Sequence, residues 1–346
     1  MKRSLTISAL ALASLTIAPS ARAQGRWSTL DDFLTSAIRL NAQELGALGR
    51  GETVAKMLPT ADSRDIAVFG AVRIDVPRPF FIDRQRDLPR ALKTPTRTQA
   101  VVFSDPATAA DVQLVDMSND DIKELRSCRP SDCNFKLPAT DMEGARTTIG
   151  AGADAKARVA EAARKRMVEY VTDYRSRGNA AMIVYDDRGT VRSSDALGAM
   201  LRDSSLVFLA VPSLGQSLID YPRSKPAGGT EAIFWSRDEL PHLRRVLRIT
   251  HQTIFAPPER QDLTLIAAKQ IYADHYFEAG LEVLAAVDRG TDGITLVAIR
   301  RFRFDHMPSG GLLNIRGRVA NGLRENIVAD LKRLERDAES AWAAKR

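Results

Sequence analysis

Apolar residues recur along this chain with two periods, and the places where the period changes mark its elements. Leu30, Phe33, Leu34 and Ile38 are spaced three or four apart behind Ser28 and Thr29, which predicts a helix running toward Gly46 and Gly49. A period of two follows. In Asp65–Pro77 the even positions Ile66, Val68, Val72, Ile74 and Val76 are apolar, so the stretch reads as a half-buried strand, with Val54–Leu58 pairing to it across a polar turn. Pro77 and Pro79 end that strand and open a short helix over Phe80–Leu92. From Lys93 to Pro138 the signals are mixed and suggest short helices and loops. Ala155–Arg177 is a clear helix, because Val159, Ala163, Met167, Tyr170, Val171 and Tyr174 repeat at helical spacing and Gly178 stands where a C-cap glycine belongs. Residues 180–187 read as a short apolar strand and Leu197–Ile219 as helical.

The last hundred residues are the most regular. Glu231–Trp235 and Arg245–Phe255 read as strands, with Leu247, Ile249, His251, Thr253 and Phe255 on one face of the second. In Leu263–Val287 the odd positions are apolar or small except Lys269 and His275. The even positions include Gln270, Tyr272, Asp274, Tyr276, Glu278 and Glu282, the alternation of a sheet with one wet face. At ~3.3 Å per residue a single strand of this length would exceed ~80 Å, so it must bend or form a hairpin, with Asp274 and Gly280 as candidate breaks. A helix over Ala267–Ala279 closed by Gly280 is the alternative. Ile294–Asp305 is a further strand. A long helix then carries the stripe Val319, Leu323, Ile327, Leu331 and Leu334, backed by arginines and lysines.

Composition narrows the classes. Hydrophobic residues make up 44% and charged residues 27%, an ordinary globular balance. Met1–Ala23 has a basic start at Lys2 and Arg3, an apolar run from Leu5 to Ile17, and small residues at Ala21 and Ala23, the pattern of a secretory signal cut after Ala23. The run is shorter than the ~20 residues of a spanning helix, so a soluble periplasmic or secreted protein is expected, with a retained anchor helix as the alternative. Without that segment 47 basic residues face 43 acidic ones, a net charge of +4, too small to imply nucleic acid. Both cysteines, Cys128 and Cys133, lie in one short loop. In an oxidising compartment they favour a local disulfide over a redox pair, since the spacing is not C-x-x-C.

No nucleophile elbow, zinc-protease motif, phosphate-binding loop or dinucleotide fingerprint occurs, so no metal or cofactor is expected. His275 and Glu278 would share a face only in a helix. What the alternation leaves over is His251, Lys269 and His275 on faces that otherwise read as buried, where polar groups must be paired or line a cavity. Three readings follow: hydrogen-bonded core residues, polar anchors in an apolar pocket, or acid–base catalysis by His275 with Asp305 or Glu278.

The order strand, proline, short helix, then antiparallel strands ending in a long amphipathic helix resembles the helix-grip fold of START-like lipid-transfer and polyketide-cyclase-type proteins. Asp65–Leu88 and Arg245–Leu334 carry the resemblance. It implies an α+β fold in which an antiparallel curved sheet grips the long C-terminal helix, with residues 94–229 as a mostly helical insertion bearing the cysteine loop. The chain then divides into 1–23, the N-terminal helix 24–50, the first part of the core 51–93, the insertion 94–229, and strands plus helix 230–346. An apolar cavity opening near His306–Gly311 is implied, with His251, Lys269, His275, Arg300 and Arg303 as ligand-binding candidates. The expected function is carriage of a lipid or other apolar or amphiphilic small molecule. The alternatives are an acid–base hydrolase or cyclase in the same cavity, or an envelope structural protein. Basic residues on the final helix allow a peripheral membrane contact.

Overall fold

The computed structural model describes residues 29–150, 154–203, 211–239, 243–290, 293–306 and 314–346. The signal segment expected at 1–23 and most of the loop expected to hinge at 306–311 lie outside them. The centre is an antiparallel, curved, open sheet of eight strands in the order β1-β2-β10-β9-β8-β7-β6-β3. Its members are β1 (Val54–Leu58), β2 (Asp65–Ile74), β3 (Arg97–Val102), β6 (Thr230–Asp238), β7 (Val246–Phe255), β8 (Leu263–Ala273), β9 (Phe277–Asp288) and β10 (Ile294–Phe304). Two short strands, β4 (Val184–Tyr185) and β5 (Val191–Arg192), pair separately, so the apolar strand expected at 180–187 shrinks to two residues.

The sheet is covered on both faces, and this corrects the expectation of a wet one. The even side chains of β2 and β10, among them Ile66, Val72, Leu296 and Phe302, pack under the C-terminal helix α10 (Ile315–Ala343) through Val319, Leu323, Ile327 and Leu331. Gly70 lets that helix come close. A Cβ there would stand 2.7 Å from Leu331 Cδ1 and 3.3 Å from Ile327. The helix α3 (Arg78–Arg86), started by prolines at 77 and 79 and followed by the one-turn α4 (Leu88–Ala91), adds Phe81 and Ile82 to the same core.

The odd face is shared by two groups of helices. Toward β2 and β10 it meets the N-terminal segment, where the single predicted helix is broken. A turn α1 (Leu30–Asp32) passes into a π-helical stretch at Phe33–Ala37, and a new helix α2 (Ala42–Gly49) starts at the Asn41–Glu44 capping box. Toward β7–β9 it meets α7 (Ala155–Arg177), α8 (Ser193–Asp203) and α9 (Pro212–Asp220), which bury Tyr170, Tyr174, Leu197, Met200 and Leu214 against Trp235, Ile249, Leu265 and Leu281. Gly178 ends α7 at φ +58, and a Cβ there would lie 1.9 Å from the Tyr221 carbonyl, so only glycine fits.

Between β3 and α7 come α5 (Asn119–Ser127) and α6 (Ala139–Ile149), which with the Cys128–Cys133 disulfide form a satellite core around Phe135 and Met142. Neither α6 nor β3 was signalled by sequence period: β3 is an edge strand of half-buried residues and alternates weakly. Residues 263–288 form a hairpin. Its break is at Asp274, while Gly280 lies inside β9, where a Cβ would press on Phe302.

Candidate functional site

Where α6 and α7 lean on the sheet, a cavity of about 280 Å³ remains between them. Its existence follows from the residues turned inward. α6 presents Thr140, Gly144, Ala145 and Thr148 at one-turn spacing, and α7 presents Val159, Ala162, Ala163, Arg166, Met167 and Tyr170. Small residues line both helices and leave space between their packed faces. Nothing lies within 4 Å of the position a Gly144 Cβ would take. The floor is Leu247 and Ile249 of β7 with Tyr272 of β8, and Phe135 and Leu125 close one side.

Tyr272 reaches this floor through a register irregularity. Strict alternation puts it on the even face, but the β7–β8 ladder shifts between Ile249 and Thr250, so Tyr272 stands opposite Ile249. Its ring lies 6.4 Å from those of Tyr170 and Tyr185. The Tyr170 hydroxyl donates to the Ile271 carbonyl at 2.5 Å, whereas the Tyr272 hydroxyl has no hydrogen-bond partner among the described residues. Burial, reinforced by the nearby Asp274 carboxylate, pushes the Tyr272 hydroxyl well above its ordinary pKa, so it keeps its proton.

The charged lining residues are Asp141, Arg166 and Asp274. Arg166 Nε and Asp141 pair at 3.0 Å across α7 and α6, and Arg166 is half exposed, which places this pair at the solvent edge. Asp274 also lines the cavity; its Oδ1 accepts from the Leu247 amide at 3.0 Å and stands 2.9 Å from His275 Nδ1. His275 is packed 4.5 Å from the Phe135 ring, with Nε2 3.8 Å from Glu124, itself paired to Arg244 at 2.7 Å. Burial opposes an imidazolium here, but Asp274 and Glu124 outweigh it and hold the His275 pKa up at about 9. At neutral pH His275 is therefore a charged partner of Asp274.

The other sequence candidates do not converge on this cavity. His251 and Lys269 lie opposite each other on β7 and β8, under α9. Lys269 Nζ donates to Asn179 Oδ1 at 2.8 Å and lies 5.3 and 5.2 Å from the ring centres of Tyr174 and Tyr221. Burial pushes its ammonium down to about 7. His251 Nδ1 is 2.9 Å from the Tyr174 hydroxyl, its Nε2 is 3.6 Å from Glu231, and burial lowers its pKa. The space around this pair is only about 10 Å³, room for a single water.

Arg303, with Arg301, grips the buried Asp65: Arg303 Nε donates at 2.7 Å and Arg301 Nη2 at 2.8 Å. Arg300 points the other way, into a groove of about 160 Å³ between α10 and the sheet. This is the space the helix-grip resemblance assigns to a ligand. It is crossed by a chain of ion pairs: Arg97 and Arg248 share Asp238 at 3.1 and 2.7 Å, Arg248 reaches Glu282 at 3.4 Å, and Arg300 joins Glu282 at 3.0 Å to Asp330 at 2.6 Å. Separating buried pairs to admit an apolar guest is costly.

Glu278 turns away from His275 and meets Arg64 at 3.2 Å. Among the described residues no group of three or more histidine, cysteine or carboxylate side chains has metal-binding geometry. Gly144 and Phe135 carry no signal in the sequence, while Ala163 reads as part of the α7 core stripe and Tyr272 as a wet-face residue. The repeated small residues on two neighbouring helices are the one signal that could have pointed there. Comparisons with family models, with curated proteins and with solved structures return no match for this chain.

Proposed function

We propose that the protein binds an apolar small molecule in the cavity between α6, α7 and the sheet. The observation that carries this is a cavity of about 280 Å³ with walls mainly of leucine, valine, alanine, methionine and aromatic side chains, in which Asp141, Arg166 and Asp274 are the charged lining residues. The curved sheet packed on a long C-terminal helix also supports a START-like relationship, with the ligand site moved to the opposite face. The disulfide and the pattern of Met1–Ala23 support an extracytoplasmic setting, and among the described residues no helix is long and apolar enough to cross a membrane. An acid–base enzyme has less support, because His275 reaches the cavity only through Asp274 and Phe135. A docking protein has less still: the large hydrophobic side chains exposed among the described residues are Leu114 and Ile219, too few for a contiguous patch.

Native mass spectrometry of the full chain purified gently from its own envelope, followed by organic extraction, tests the proposal. An approximately stoichiometric apolar compound is expected, and Gly144→Leu should expel it. The variant should fold, since leucine favours a helix by about 0.5–1 kcal/mol over glycine and its Cβ meets nothing. A chain that is empty and takes up no apolar dye, with or without the substitution, sinks the idea.

A further inference from the structure

Resting on the cavity reading above, we infer that the ligand is a neutral, hydroxyl-bearing ring compound of roughly bicyclic size, held at its hydroxyl by Tyr272 and Asp274. Size comes from volume: an apolar cavity of about 150 Å³ accommodates benzene, and this one is nearly twice that. A diacyl lipid does not fit inside it.

The head group follows from what the cavity leaves unpaired. Tyr272 keeps its hydroxyl proton and has no partner for it among the described residues. Asp274 uses Oδ1 toward Leu247 and His275, and no hydrogen bond among the described residues reaches its Oδ2. One donor and one acceptor, both lining the same apolar cavity and close enough for the Asp274 carboxylate to act on the Tyr272 hydroxyl, match a hydroxyl, which accepts from the tyrosine and donates to the carboxylate. Both groups are partly exposed, so a ligand lacking a hydroxyl would cover them from water without replacing those hydrogen bonds.

Charge decides against ions. Arg166, the cation among the lining residues, is held by Asp141 at the solvent edge, so a carboxylate or phosphate entering deeply meets Asp274 without a free counter-ion. A cationic head gains little either, because His275 already balances Asp274. A neutral hydroxyl is the remaining match.

Calorimetric titration of the full chain at pH 7.5 with 2-naphthol, naphthalene, 2-naphthylmethylammonium and 2-naphthoate separates these claims. 2-Naphthol is expected to bind at least about tenfold more tightly than the other three. Tyr272→Phe should bring 2-naphthol down to the level of naphthalene, and Asp274→Asn should lower it as well. Equal binding of 2-naphthol and naphthalene, or tighter binding of either ion, overturns the head-group assignment while leaving the cavity in place. If none of the four binds, the cavity reading falls and this inference with it.

Discussion

Lys269 is the residue whose environment is most at odds with its chemistry. A lysine buried to 1% exposure, with an amide and a carbonyl as its hydrogen-bond partners, is held mostly neutral near pH 7.5. Its folded-state pKa of about 7 lies below the unfolded value of 10.5. Between those limits the unfolded chain binds the extra proton, so stability from this group rises as pH climbs from 7 to 10.5 and is flat below 7. The full difference is on the order of 5 kcal/mol. Lys269→Met should therefore be more stable than the parent at pH 7, with the gap shrinking by pH 10; urea melts of both proteins across that range measure it, and a constant gap would refute the burial argument. His275 carries the opposite sign. Raised from 6.5 to about 9, it stabilises fully below 6.5, and that contribution disappears as pH rises through 9. His275→Gln should thus lose more stability at pH 6 than at pH 9.5. The sequence revealed that both residues were buried, from parity in a strand. It hid their partners, because Asn179 and Tyr174 of one site and Glu124 of the other come from segments far away in the chain.

At the scale of elements, the contact of β2 with α10 is tight enough to be tested by pairs of substitutions. Gly70→Ala pushes on Leu331 and should cost about 1–3 kcal/mol, while Leu331→Ala leaves a void and should cost about 2–5 kcal/mol. The double variant should lose clearly less than the sum, since the added methyl occupies space the leucine vacates. Strict additivity in denaturant titrations would mean that α10 does not seat on Gly70. Most of these elements were legible: β2, β7, β8, β10, α7 and α10 all declare their period, and Asp274 was readable as a hairpin break. β3 and α6 were not, as one is a half-buried edge and the other carries a stripe of small residues that counts as neither polar nor apolar. Two-sided burial also misled the reading of β8 and β9. Their even positions carry Gln270, Glu278 and Glu282, which look solvated but are absorbed into the ion network or the interior. Alternation in sequence reports polarity, and polarity coincides with exposure only where charges are left unpaired.

Across the whole molecule, one sheet serves two unlike faces: a helix seated over ion pairs on one side, and a loosely filled apolar space under a helical cover on the other. The proposed site belongs to the second face because the cover there is built from several separate helices, α5, α6 and α7, with a disulfide-pinned loop, rather than from one rod. The same sheet has a consequence for how the chain is made. β2 is joined on one side only by the five-residue β1, and on the other by β10, about 220 residues later in sequence. The first strands synthesised must therefore wait for almost the last ones, a long-range closure that makes folding slow and late. Chains arrested on the ribosome with residue 288 as their last exposed position should remain open to protease throughout 54–74. Protection there should appear only once β10 and α10 have emerged, so this N-terminal stretch stays extended and accessible for nearly the whole of the chain's synthesis.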